Sequence, residues 1–157
     1  RGEGRHLKRL PTIGTDTRIG WTNGVVDSLR KGHIELLKFS KMQGTKLIIA
    51  IDSDRRVKEL KGNDRPINNQ EDRRRILETN RYVDEVVIFD SVEELQGFYD
   101  TLSPDVIVKG SEWTADEVRE RDNIPENVQI KVYPLVGDYS TTNTMNKIRD
   151  METCEKI

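Results

Sequence analysis

His33 and Gly32 sit in GVVDSLRKGHIELL, residues 24–37, where a strand-like run gives way to a helical one. The stretch reads as a strand end, a tight turn and a helix start. Gly32 lets the backbone approach a ligand closely, and His33 opens the helix. A helix start presents free N–H groups and a partial positive charge, which suits phosphate. YSTTN, residues 139–143, offers the same chemistry with the hydroxyls of Ser140, Thr141 and Thr142 added. Two such starts aimed at one crevice would cradle a polyphosphate. Arg30, Lys31, Lys58, Lys61, Arg65, Arg73, Arg81 and Lys109 are the cations that could join them. Each piece also has a plainer reading. Hydroxyl runs commonly cap helices, a His beside Gly is commonly structural, and EDRRR at 71–75 fits a solvated helix face. Their order along one chain gives them weight.

The elements that must carry these residues follow from hydropathy and capping. RIGWTN (18–23) reads as a first strand, followed by a helix over 32–43 that Gly44 ends. KLIIAI (46–51) is a second strand, and its continuous apolar run suits a parallel sheet covered on both faces. Residues 52–68 read as a long charged loop with one short helix. Asn69 and Asp72 have the spacing of an N-cap and its N3 partner, opening a helix to Thr79 or Asn80. VDEVVIF (83–89) is a third strand. Ser91 and Glu94 then make a capping box for a helix that Pro104 blocks. DVIVK (105–109) and residues 128–133 are the fourth and fifth strands, and Ser140 or Thr141 caps a last helix.

Strands alternating with helices predict an α/β fold: a Rossmann-like, doubly wound, five-stranded parallel sheet in a single domain. Residues 1–16 read as a basic N-terminal extension, 17–150 as the domain and 151–157 as a C-terminal tail. The extension is either a flexible tail or a segment that packs on a protein partner; His6 within it reads as a solvated residue. Ligands of doubly wound sheets bind beyond the carboxyl ends of the strands, at the topological switch point. The loops 24–32, 52–69, 110–116 and 135–142 are therefore the candidate site.

Bulk composition narrows the class. The 157 residues carry a formal net charge of −2, which gives no general pull toward nucleic acid or anionic membrane. Mean hydropathy is −0.73, and no apolar run is long enough to span a bilayer. No apolar core of a signal peptide is visible near the N-terminus. Cys154 is the single cysteine, so an intrachain disulfide and a Cys-rich metal site are excluded. A cytoplasmic location is the expectation.

TNGVVDSLRKGHIELL resembles the signature of the cytidylyltransferase-like nucleotidyltransferases, Gly-x-Phe-Asp-x-x-His-x-Gly-His followed by an apolar helix. The resemblance continues, in order, through residues 51–90, VIVKGSEW and YSTTNTMNKI, spanning roughly residues 18–149. It is most similar to the adenylyltransferase domain of ADP-heptose synthases. Over ILETNRYVDEVV it is similar also to glycerol-3-phosphate cytidylyltransferases. A different chemistry on the same fold, such as coenzyme-precursor adenylyltransfer, fits KGSEW and YSTTN less well.

The resemblance implies transfer of AMP or CMP from an NTP to a sugar phosphate, with release of pyrophosphate. It implies ATP ahead of CTP, Mg2+ bound with the NTP, and a homodimer. It assigns His33, Arg30 and Lys61 to the reacting centre. Gly24, Asp27, Gly32, Lys109, Glu112, Trp113, Ser140, Thr141 and Thr142 fall on the nucleotide side. Asp54, Arg73 and Arg81 fall on the acceptor side, and Asp27 is expected chiefly to order the turn. Three positions depart from the pattern. Arg30 replaces the first signature histidine, Val26 the phenylalanine, and Leu135 an arginine of the glycerol-3-phosphate branch. Arginine cannot act as a base but can neutralise a phosphate. The alternative is thus a catalytically impaired relative that serves as a nucleotide-binding or assembly module.

Overall fold

The structure is a computed structural model that describes residues 17–110 and 113–134. Its elements run β1 (Ile19–Gly24), α1 (Lys31–Met42), β2 (Lys46–Asp52), α2 (Asp54–Lys61), α3 (Gln70–Glu78), β3 (Glu85–Phe89), α4 (Val92–Leu102), β4 (Val106–Gly110), α5 (Ala115–Arg121) and β5 (Gln129–Tyr133). All pairings are parallel, in the order β3-β2-β1-β4-β5. The predicted Rossmann-like α/β sheet is therefore present. The order reverses between β1 and β4.

Alternation along β2 shows why both faces need cover. Leu47, Ile49 and Ile51 pack with Leu37 of α1 and Leu77 of α3. Ile48 and Ala50 face the other way, into a cluster with Trp21, Phe89, Leu95, Tyr99 and Val118. Right-handed crossovers put α1 and α3 on one face, and α4 and α5 on the other. Trp21 is fully buried and meets Tyr99 edge-on, with ring centroids 5.4 Å apart. On the α1 face a Cβ at Gly20 would lie 2.6 Å from the Ser40 carbonyl oxygen, so only glycine lets α1 pack this closely on β1.

Both N-caps formed, but the Ser91–Glu94 box did not close, since the Glu94 carboxylate accepts from the Asp90 N–H instead. Asn69 accepts from the Asp72 N–H and Ser91 from the Glu94 N–H. Two elements differ from the sequence reading. Residues 54–61 form a full eight-residue helix, because the Ser53 side chain accepts from the Arg56 N–H and caps it. Residues 115–121, which gave no predicted element, form α5 on a capping box between Thr114 and Glu117. The third strand starts at Glu85 rather than Val83, since the Val83 N–H is turned back to the Asn80 carbonyl. No helix among the described residues is long and apolar enough to cross a membrane. The N-terminal extension, the last predicted helix and the C-terminal tail lie outside the described residues.

Candidate active site

β1 and β4 share register only at Gly20–Val106 and Trp21–Ile107, although β1 runs on to Gly24 and β4 to Gly110. Beyond that point the strands part, and the parting opens a cavity of about 470 Å³ at their carboxyl ends. This is the switch point where doubly wound sheets place ligands. Gly24, Asp27, His33, Lys61, Lys109 and Trp113 all line it, so six of the residues assigned to the site from sequence meet in one space.

Gly24 ends β1. A Cβ there would meet only Val26 Cγ2, at 3.9 Å, so any side chain would point into open cavity. Val26 follows with φ of 46°, a left-handed conformation that a β-branched residue rarely adopts. The turn that delivers Asp27 thus stores strain on the order of 1–3 kcal/mol.

Contacts from the next loop hold that turn in place. Asp27 is buried, and its carboxylate accepts from the N–H groups of Ile67 (2.6 Å) and Asn68 (2.8 Å). It also faces Arg65 Nε at 3.5 Å. Asn68 returns a bond from its side-chain amide to the Asp27 carbonyl, at 2.7 Å. These contacts stitch the β1–α1 turn to the α2–α3 loop and order it.

Arg73 ties the same region from below. Its guanidinium is 1% exposed as a residue and donates to the carbonyls of Asn68, Val25 and Asp52. It also donates to the Asp54 carboxylate, at 2.9 Å. Neither residue lines the larger cavity: Asp54 is the half-exposed partner of the buried Arg73, which borders a smaller cavity of about 270 Å³. Arg81 lies in the turn before β3, at the amino end of the sheet, where it bonds to the Tyr82 hydroxyl at 3.0 Å. The structure does not bring it to the cavity.

Arg30 is the N-cap of α1, and its backbone N–H donates to His33 Nδ1 at 3.2 Å. Gly32 is buried in the first turn behind it. With Nδ1 accepting, the neutral ring carries its proton on Nε2, an assignment made from this hydrogen bond. Burial and the neighbouring Arg30 charge push the imidazole below the ordinary histidine value, against an opposing pull from the Ser28 carbonyl. His33 is therefore a neutral imidazole near pH 7, set in the first turn of a helix whose first N–H groups have no intrahelical partner.

Lys109 Nζ donates to the Asn23 carbonyl at 3.1 Å and stands 3.9 Å from Asp122. Trp113 carries the Arg121 guanidinium over its ring at 4.6 Å. Lys61 ends α2 on the opposite side of the cavity and is exposed. Sequence reasoning missed Arg121 and Asp122 because it missed α5. The Thr114-x-x-Glu117 spacing was the available signal. Glu112, Ser140, Thr141 and Thr142 lie outside the described residues, as does Leu135.

Fold and cavity together define a Rossmann-like α/β domain, split at the strands that carry its signature turn. Residues 21–155 match the cytidylyltransferase-like family model, and the chain belongs to that family. It is 43% identical over 129 residues to the bifunctional protein HldE of Campylobacter fetus subsp. fetus, covering 82% of this chain and 27% of that protein. It is 41% identical over 133 residues to the bifunctional protein HldE of Koribacter versatilis, covering 84% and 27%. The chain thus spans about 27% of the length of these curated relatives. The lipopolysaccharide core biosynthesis protein from Thermoplasma volcanium shares the fold. Its TM-score is 0.62 at 22% identity, over 78% of this chain and 98% of that one.

Proposed function

We propose that this domain transfers a nucleotidyl group from an NTP to a sugar phosphate and releases pyrophosphate. The observation that carries the proposal is the cavity at the β1–β4 split. His33 in the first turn of α1, Lys61 at the end of α2 and Lys109 of β4 are all in its lining. The resemblance of VIVKGSEW and YSTTN to the ADP-heptose-synthase branch supports ATP over CTP as donor.

In this reading a phosphate oxygen of the acceptor attacks the α-phosphorus of the NTP. The new P–O bond forms as the bond to the bridging oxygen breaks, and pyrophosphate leaves. No side chain needs to be covalently modified. The work of the protein is in-line positioning and stabilisation of charge that moves onto the leaving group. The His33 Nε2–H donates to a phosphate oxygen, and its neutral form costs no proton transfer. The α1 N–H groups add fixed partial positive charge. Lys61, on a flexible stem at the cavity edge, meets the acceptor phosphate.

Asp27 and Asp52 are the carboxylates lining the cavity, and both are engaged: Asp27 by Arg65 and two backbone N–H groups, Asp52 by Arg56 at 2.7 Å. The described residues contain no group of three or more His, Cys, Asp or Glu placed to hold a metal ion. In this reading Mg2+ enters with the triphosphate as part of the substrate.

The test is pyrophosphate release by the purified protein, given each NTP with Mg2+ and a panel of sugar 1-phosphates. Release with one pair supports the proposal, and none across the panel with folded protein defeats it. A second reading, a nucleotide-binding or assembly module with an impaired site, is favoured by one observation. Arg30 occupies the N-cap, and the residues lining the cavity do not include it. Nucleotide binding without turnover would support that reading.

A further inference from the structure

The two sides of the cavity differ in chemistry. On the β2 side stand Lys61 and Arg65. Lys61 makes no ion pair with a described residue, so its charge is available to an anion. On the β4 side stand Lys109, Trp113 and Arg121, and Trp113 is the only aromatic residue of the described cavity lining. The two β4-side cations share one carboxylate. The Asp122 carboxylate, 4% exposed as a residue, lies 3.8 Å from Arg121 Nε and 3.9 Å from Lys109 Nζ. Neither approach is a hydrogen bond, so Asp122 offsets charge without closing the donors of Arg121.

We infer that Arg121 contacts the base of the bound nucleotide, as a planar donor set over Trp113 and flanked by Asp122. The inference rests on the nucleotidyltransferase reading and deepens it. The Asp122 carboxylate 3.8 Å from Arg121 Nε offsets part of its charge, which favours a neutral ring edge over a further phosphate as its contact. The Arg121 guanidinium carbon lies over the indole, 4.6 Å from its centroid, and its Nη groups make no hydrogen bond among the described residues. A flat donor fork beside an aromatic face suits a heteroaromatic ring with acceptor atoms on its edge. Phosphates are left to the α1 start, His33 and Lys61, whose ammonium makes no ion pair with a described residue. Arg121 is partly exposed at the end of α5, with 42% of its side chain accessible, so its replacement leaves the core intact.

The experiment titrates the full chain, as parent, Arg121→Ala and Arg121→Gln, with ATP·Mg and separately with inorganic triphosphate·Mg. Glutamine keeps side-chain length without the charge or the stacked plane. The expected result is about tenfold weaker ATP binding in both variants, the scale of one charge-assisted hydrogen bond. Triphosphate affinity should move less than about twofold, because Arg121 faces the base in this assignment. Unchanged ATP affinity in both variants overturns the inference. So does an equal loss for triphosphate, which would make Arg121 a phosphate ligand. A parent that binds triphosphate but no NTP defeats the nucleotidyltransferase reading itself, and the inference falls with it.

Discussion

The backbone N–H of Arg30 donates to Nδ1 of His33, so the residue that departs from the signature fixes the proton of the residue that keeps it. Any residue except proline can supply that N–H. The cap geometry is therefore independent of the Arg30 side chain, and the two residues can be tested separately.

His33→Gln should fold and lose about 10²–10³ in rate, the scale for one donor aimed at developing charge. It should also change how stability responds to acid. The folded His33 lies below its ordinary value of 6.5, because burial and Arg30 disfavour the charged ring. The unfolded chain then binds the proton more readily, so the His33 contribution is present above about pH 6.5 and is lost as pH falls through the folded value. Thermal melts of parent and variant between pH 7.5 and 5 check this. The parent should lose stability faster than His33→Gln on acidification. Parallel curves would mean that His33 is not held neutral.

Arg30→Ala separates charge from geometry. If the guanidinium neutralises leaving pyrophosphate, removing it should cost on the order of 10²-fold in kcat with the melting temperature nearly unchanged. Arg30→His restores the signature and should keep or raise turnover. A parent without turnover that gains it as Arg30→His would favour the impaired-site reading. Steady-state pyrophosphate release on the three proteins decides between them.

Arg73 and Lys61 should divide stability from function. The buried Arg73 guanidinium serves the carbonyls of three loop segments and one carboxylate, so Arg73→Ala should cost roughly 3–5 kcal/mol in urea denaturation. Arg73→Lys should recover little, because an ammonium cannot span that fork. Lys61→Ala touches no core contact. It should leave the denaturation midpoint in place and raise the acceptor KM about tenfold, the scale of one charged hydrogen bond. A stable, active Arg73→Ala with a raised acceptor KM would instead place Arg73 in direct contact with the acceptor.

The strands and most helices were legible in the sequence because each carries a local signal, as with the continuous run of β2 or the Asn69 and Ser91 caps. The switch point was legible too, since it follows from topology. What the sequence concealed depends on contacts between distant segments. Nothing near Arg73 indicates that its donors reach back 48 positions to the Val25 carbonyl. Asp27 likewise finds its acceptor role 40 and 41 positions away, at Ile67 and Asn68. Arg121 was concealed for another reason. Seven polar-rich residues give too little hydrophobic periodicity to announce α5, and only its capping box marks it.

Gly24 offers the most direct test of the cavity. It is a strand residue with space above it, since a Cβ would meet only Val26 Cγ2 at 3.9 Å. A β-branched side chain suits a strand, so Gly24→Val should hold or slightly raise the melting temperature. The two added methyl groups would stand in the space between β1 and the His33 wall. Nucleotide binding should then weaken at least tenfold, because packed atoms there cannot give way without strain on the order of 1–3 kcal/mol. Thermal shift with and without ATP·Mg measures both quantities on one sample. A Gly24→Val protein that keeps the full nucleotide-induced shift would place the nucleotide elsewhere. The β1–β4 cavity would then no longer be the reacting centre.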